Sequence, residues 1–256
     1  MATFDLREGI EDADLVILCT PVLTILEQIR TIRPHLKKSA MVIDVGSSKE
    51  SISHEGDRFL GEAFVGCHPM AGSELRGIMH ANERLFEGEI CFMTSRNKRI
   101  QNFWTAIGAD VHPITPKRHD RWVAMASHLP HILAFSLLAN PELQKDFPGR
   151  LNPSIRDFAR IARGSGFVWP DIFLSNKTQV ITALNKFKIN ISKWSNALKR
   201  SDKDMIIKLI ADSNRVSWML EDKEYRGGGD AARSVQGPRR ISPRARSKNS
   251  PSAEGP

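Results

Sequence analysis

At 256 residues the chain is long enough for one large domain or two modest ones, and its hydrophobic fraction of 41% is that of an ordinary folded protein. No stretch approaches the roughly 20 apolar residues of a membrane helix, and the N-terminus has the form of neither a secretory signal nor an Arg-rich transit peptide. The three cysteines, Cys19, Cys67 and Cys91, are odd in number with no CxxC spacing, which argues against a disulfide framework and a structural zinc site; a reducing, cytoplasmic setting is expected. The net charge of +8 is unevenly spread, with seven Lys/Arg against two Asp/Glu between Arg226 and Pro256. That Gly/Pro/Ser-rich stretch reads as a disordered, solvated tail; weak non-specific contact with RNA or acidic surfaces is the alternative. Neither a membrane nor a specific nucleic acid is expected as partner.

In chain order, Leu15-Val16-Ile17-Leu18-Cys19 is a buried strand ending at Thr20-Pro21, and Val22 to about Leu36 has a helical pattern. Met41-Val42-Ile43-Asp44 is a second strand closed by Gly46-Ser47-Ser48, with a helix from Lys49 to Leu60. Ala63-Phe64-Val65-Gly66 makes a third strand, ending at His68-Pro69. Ile90–Thr94 is a fourth, residues 97–107 are helical, and Asp110–His112 is a last short strand. Continuous apolar strands alternating with helices predict a mostly parallel sheet covered on both faces, the doubly wound α/β class. The character changes after Thr115-Pro116. Residues 119–139 read as one helix with Pro130 inside it. From 173 to 200, Val180, Leu184, Phe187, Ile191, Trp194 and Leu198 recur at steps of three and four, an apolar stripe on one face of a long helix. A last helix runs from about Lys203 to Leu220. The expected organisation is an α/β domain over 1–116, an all-helical domain over 117–225 and a basic tail over 226–256.

Open α/β sheets bind ligands at the carboxyl ends of their strands, and dinucleotide sites there use a G-x-G-x-x-G turn that lets a pyrophosphate approach a helix N-terminus. The sequence has no such turn; its nearest approach, Gly164-Ser165-Gly166-Phe167-Val168-Trp169, has Trp at the third position and lies in the helical half. A doubly wound domain that opens on an inner strand is expected to be truncated, without its first strand-helix-strand unit.

Reactive residue types gather in four places: Asp44–Lys49, Gly66–Glu74, His119–His131 and Arg156–Arg163. An imidazole titrates near neutrality, so His68 at a strand end suits proton transfer; a plain turn histidine before proline is the alternative. Ser47 reads equally as a helix cap ahead of Lys49-Glu50. Arg160 suits bidentate pairing with a carboxylate, or is a surface charge on a basic helix. His128 and His131, three apart, would suit a metal, but Pro130 between them and the lack of a third ligand type make zinc a poor fit. Trp169 suits a core or interface position. Cys67, on the opposite side of the strand from His68, reads as buried.

The ordered set D-x-G-S-x-K (Asp44–Lys49), G-x-H-P-M-A-G-S-E (Gly66–Glu74), H-D (His119-Asp120), S-H-L-P-H (Ser127–His131), R-I-A (Arg160–Ala162) and W with D-I-F (Trp169, Asp171–Phe173) resembles the prephenate/arogenate dehydrogenase family of tyrosine biosynthesis over about Asp14 to Leu198. The resemblance implies a Rossmann-like domain followed by a helical dimerisation domain, a homodimer, and NAD or NADP as cofactor. It implies oxidative decarboxylation of prephenate or arogenate, with His68 as the catalytic histidine at the substrate hydroxyl and Ser47 holding it near the nicotinamide. His131 and Arg160 match carboxylate-binding residues. Glu74 matches an acidic residue at the substrate entrance and Asp120 one near the substrate that pairs with another charged group; Ser127 and Trp169 match positions near the substrate, Trp169 one able to reach across a dimer. Thr20, Pro21, Ser47 and Ser48 are expected to line the cofactor, and no metal is expected. Two alternatives stay open: an inactive or partner-dependent remnant lacking the dinucleotide fingerprint, and a hydroxyacid dehydrogenase of the wider two-domain class, which would use a lysine in its helical domain.

Overall fold

The computed structural model describes residues 2–72, 78–145, 149–150 and 152–227. Strands β1 (Leu15–Leu18), β2 (Met41–Asp44), β3 (Phe64–Pro69), β4 (Ile90–Met93) and β5 (Asp110–Pro113) form one sheet in the order β1-β2-β3-β4-β5. Every neighbouring pair is parallel except β3 with β4, which runs antiparallel. Helices α1 (Leu6–Ile10), α2 (Val22–Ile32), α3 (Glu50–Phe59) and α4 (Lys98–Ala106) belong to this half.

Side chains alternate across a strand, and here each face meets its own helices. Val16, Leu18, Val42 and Phe64 pack with Ile10 of α1, Val22, Ile25, Ile29 and Ile32 of α2 and Ile52 of α3. Ile43, Val65, Cys67, Cys91 and Met93 face the other way, against Ile100 and Trp104 of α4. One contact on the first face is unusually close: an ideal Cβ on Gly56 of α3 would lie 2.1 Å from the Phe64 ring. Alanine improves helix propensity by about 1 kcal/mol over glycine, but overpacking a core costs about 1–3 kcal/mol. Gly56→Ala is therefore expected to lower unfolding stability by up to about 2 kcal/mol in urea titration; a stabilised variant would show the contact to be loose.

The third strand continues past the expected Gly66 as far as Pro69, because the antiparallel partner β4 extends the ladder: Cys67 lies opposite Met93, His68 opposite Phe92 and Pro69 opposite Cys91. His68 thus sits within the sheet, not in a loop beyond it. Proline has no amide to give a ladder and is tolerated at a strand end.

Helices α5 (Pro116–Val123), α6 (Leu129–Leu138), α7 (Pro141–Lys145), α8 (Pro153–Ile161), α9 (Trp169–Ser175), α10 (Lys177–Lys199) and α11 (Lys203–Gly227) follow. The single helix expected over 119–139 is α5 and α6 joined by a π-helical turn, Ala124–His128. Pro130 explains the turn: its ring crowds the carbonyl four residues back and it donates no hydrogen bond, so the preceding bonds widen. The long helix expected from 173 is divided at Asn176 into α9 and α10.

The chain forms two compact units, 1–190 and 191–256. In the first, Ala124, Leu129, Val180 and Ala183 make a third core with Phe173, Leu184 and Phe187. In the second, the apolar stripe is uncovered: Ile191 and Leu198 of α10 and Ile207, Val216, Trp218 and Leu220 of α11 are exposed. Among the described residues no helix is long and apolar enough to cross a membrane.

Candidate active site

The site begins at the end of β2. Asp44, fully buried, accepts hydrogen bonds from Gly46 N at 2.8 Å and Cys67 N at 3.3 Å and is ion-paired with the Lys49 ammonium, itself wholly buried. Burial pushes the Asp44 carboxyl up, while the Lys49 charge and the two amides pull it back. A buried ion pair of this kind holds geometry rather than adding much stability. It fixes the loop carrying Ser47 and Ser48.

Asp120, on α5, closes the other side. Its Oδ1 accepts from Lys49 N at 2.7 Å and its Oδ2 from Glu50 N at 2.9 Å, so it caps the first turn of α3, where an anion is favoured. Its Oδ1 also lies 2.7 Å from His119 Nδ1, and His119 Nε2 lies 2.8 Å from His68 Nδ1. The three residues form an unbroken line from the start of α3 to the sheet. His68 keeps 9% of its surface, while His119 and Asp120 keep none. Burial, with the neighbouring His119 ring and the Lys49 charge, holds His68 well below the usual imidazole range. Burial likewise lowers His119, against the pull of Asp120.

Asn176, the residue that divides α9 from α10, carries the line into the helical half. Its Nδ2 donates to the Asp120 carbonyl at 2.8 Å and lies 3.3 Å from His128 Nδ1. Burial lowers His128 to about 4. His128 meets the edges of Trp169 and Phe173, and Trp169 stacks on His131 with ring centroids 3.7 Å apart. His131 Nδ1 donates to the Ser127 carbonyl at 2.9 Å, a contact set by the π-helical turn. Burial, with the charge of the exposed Arg160 on α8, lowers His131.

Of the residues singled out from the sequence, the structure thus joins His68, Asp120, Ser127, His131 and Trp169 in one constellation, with Arg160 beside His131. Asp120, expected near the substrate and paired with another charged group, is enclosed, with its carboxylate held by the first amides of α3 and by His119. Ser47 is half-buried at the end of β2. Ser48, expected at the cofactor, is fully buried with its Oγ 2.8 Å from Ser175 Oγ, tying the loop to α9. Thr20 donates its hydroxyl to Gln28 Oε1 at 2.8 Å, and Pro21 is exposed at the head of α2. Glu74 lies outside the described residues. Cys67 is buried, as its place in the strand suggested. His119 and Asn176 carry central contacts that sequence reasoning left unassigned. The signals were the acid-histidine pair itself and the interrupted helical period at Ser175-Asn176.

Residues 2–112 match the family profile described as prephenate dehydrogenase, nucleotide-binding domain, and residues 115–212 match that of the prephenate dehydrogenase dimerization domain. The chain belongs to the prephenate dehydrogenase family. Among its relatives in this family, the prephenate dehydrogenase of Lactococcus lactis subsp. cremoris is 27% identical over 229 residues, 85% of this chain and 64% of the relative. The chain thus spans just under two thirds of that enzyme's length. The cyclohexadienyl dehydrogenase of Zymomonas mobilis is 27% identical over 86% of this chain and 79% of its own. The crystal structure of the Aquifex aeolicus prephenate dehydrogenase, in complex with hydroxyphenyl propionate and NAD+, superposes with a TM-score of 0.76 at 28% identity, covering 85% of this chain and 80% of the other. The fold expected for the family, a Rossmann-like sheet domain followed by helices, is the one described above.

Proposed function

We propose that the chain oxidatively decarboxylates prephenate or arogenate in tyrosine biosynthesis, as a cytoplasmic homodimer using NAD or NADP. The observation that carries this reading is the buried line His68–His119–Asp120, which holds an uncharged imidazole near the end of β3 and is linked through Asn176 and His128 to the stacked rings of Trp169 and His131, with the cationic Arg160 near His131.

The residues at the ends of β1 and β2 suit the nicotinamide end of a dinucleotide. Pro21 caps α2 without any side-chain hydrogen bond of its own; Leu23 N in the first turn donates to Asp171 Oδ2 at 3.4 Å, and the helix start still favours an acceptor such as a carboxamide oxygen. Ser47 adds a hydroxyl. These two, with Thr20, would hold the cofactor, whose oxidised ring supplies a two-electron hydride acceptor.

The protein's own residues do the rest. As the C–H bond of the carbinol carbon gives up its electron pair, the hydroxyl proton passes to His68 and the C–O bond becomes a carbonyl. The electron pair of the opposite C–CO2 bond then enters the ring as carbon dioxide leaves. Aromatisation makes this step downhill, and the proton returns from His68 to the phenolate oxygen. Arg160 pairs with one substrate carboxylate through its planar fork. His131, whose Nδ1 is committed to Ser127, meets a carboxylate only as an imidazolium, through Nε2. Trp169 holds that ring by stacking.

The test is formation of reduced nicotinamide by the purified chain, with prephenate and arogenate each offered with NAD and with NADP. Turnover in one combination is the expected result; none in any would leave a binding remnant. The exposed stripe of α10 and α11 supports the homodimer. Sedimentation at micromolar concentration is expected to show a dimer, and a monomer would refute that part.

A further inference from the structure

Hydrogen-bond polarity along the buried line can be followed from one end to the other. Asp120 already accepts two backbone amides, from Lys49 and Glu50, so its position and acceptor role are set by the start of α3. Its contact with His119 Nδ1 at 2.7 Å requires that nitrogen to carry the proton. A neutral imidazole has one N–H, so His119 Nε2 is a lone pair. The 2.8 Å contact to His68 Nδ1 then requires His68 to donate from Nδ1. The only basic nitrogen left on His68 is Nε2.

We propose that His119 is a positioning residue that, anchored by Asp120, locks His68 in the Nδ1–H tautomer and so leaves Nε2 as the base that takes the substrate hydroxyl proton. When Nε2 takes the proton, the His68 imidazolium keeps its Nδ1–H on His119 and no other group has to move. The line also orients the ring: Phe92, opposite His68 in the sheet, packs edge-on against His119 at 5.6 Å and Trp122 at 5.3 Å, which helps hold His119 in place. Without the acceptor on His119, His68 would be free to carry its proton on Nε2, where it cannot act as a base. Wrong-tautomer defects of this kind reduce turnover by about 10²–10⁴-fold in enzymes where they have been engineered.

The kinetic part rests on the dehydrogenase reading; the tautomer part does not. The imidazole 15N shifts of the uniformly labelled protein, with His68 assigned by the signals lost in His68→Asn, report the tautomer directly. The expected result is Nδ1–H on His68 in the parent protein, a shift toward Nε2–H in His119→Leu, and restoration in His119→Gln, whose amide oxygen can accept from His68. In turnover, His119→Leu is expected to lower kcat about 100-fold with KM changed less than about threefold, and His119→Gln to recover most of it. An Nε2–H tautomer in the parent protein, or one unchanged in His119→Leu, overturns the proposal; the parent spectrum alone decides if His119→Leu does not fold. The Nδ1–H tautomer with no turnover on any substrate and cofactor would uphold the lock and overturn the dehydrogenase reading.

Discussion

His68→Asn is expected to reduce turnover by about 10³-fold or more while moving the urea unfolding midpoint little. An amide at this position can still reach toward His119, so the line keeps an end and the strand keeps its ladder. Losing one buried side-chain hydrogen bond costs about 1 kcal/mol. What the amide cannot do is take a proton near neutral pH, and general-base contributions alone are about 10²–10⁴-fold. The low proton affinity imposed on His68 by burial, by a neighbouring His119 that would repel a second proton, and by the Lys49 charge keeps the ring uncharged through the neutral range. The base form is thus present at working pH without any activating step. The check is initial rates of reduced-nicotinamide formation beside urea titrations of both proteins. Activity within tenfold of the parent would remove His68 from the chemistry, and a collapsed midpoint would make its role structural.

The sheet was legible because its strands are unbroken apolar runs: Leu15–Leu18 and Met41–Asp44 fall where the runs predict, and residues of opposite parity, such as Val42 and Ile43, meet different cores. The true end of β3 was not legible. His68-Pro69 has the local look of a turn, and what extends the strand is an antiparallel neighbour that begins at Ile90, a long-range fact that no local pattern carries. Asp120 illustrates the same limit in the site. The resemblance put it near the substrate, but it could not show that its partners are amides 70 and 71 residues earlier in the chain. His119 was passed over because adjacent positions on a helix point about 100° apart; only the fold shows that both point inward, one to the sheet and one to α3. The stripe on the long helix was read correctly as a stripe, yet its two halves have different fates. Val180 is buried within the first unit, while Ile191 and Leu198 are left open. Periodicity marks a face, and the packing decides what covers it.

The stability of the fold is expected to fall steeply between pH 6.5 and pH 4, with His128 one of the causes. Its folded value of about 4 lies below the usual histidine value near 6.5 because the ring is buried, against Trp169 and Phe173 among others. Asn176 adds a directional reason: its Nδ2, held by the Asp120 carbonyl, also faces His128 Nδ1, so a proton there would set two donors against each other. An unfolded chain takes up that proton at about pH 6.5 and the folded chain does not. The contribution is therefore fully present above pH 6.5 and is lost as the pH falls toward 4, by about 3 kcal/mol over the full window. His68, His119 and His131 are all lowered as well and act in the same direction. Asp44, raised by burial, opposes them. His128→Asn isolates the part due to His128. Urea titrations at pH 7 and 4.5 are expected to show the parent losing about 2–3 kcal/mol more than the variant over that interval, whatever the variant's stability at pH 7. Parallel losses in the two proteins would mean that His128 is protonated in the fold, and that the bond to Asn176 is not made as described.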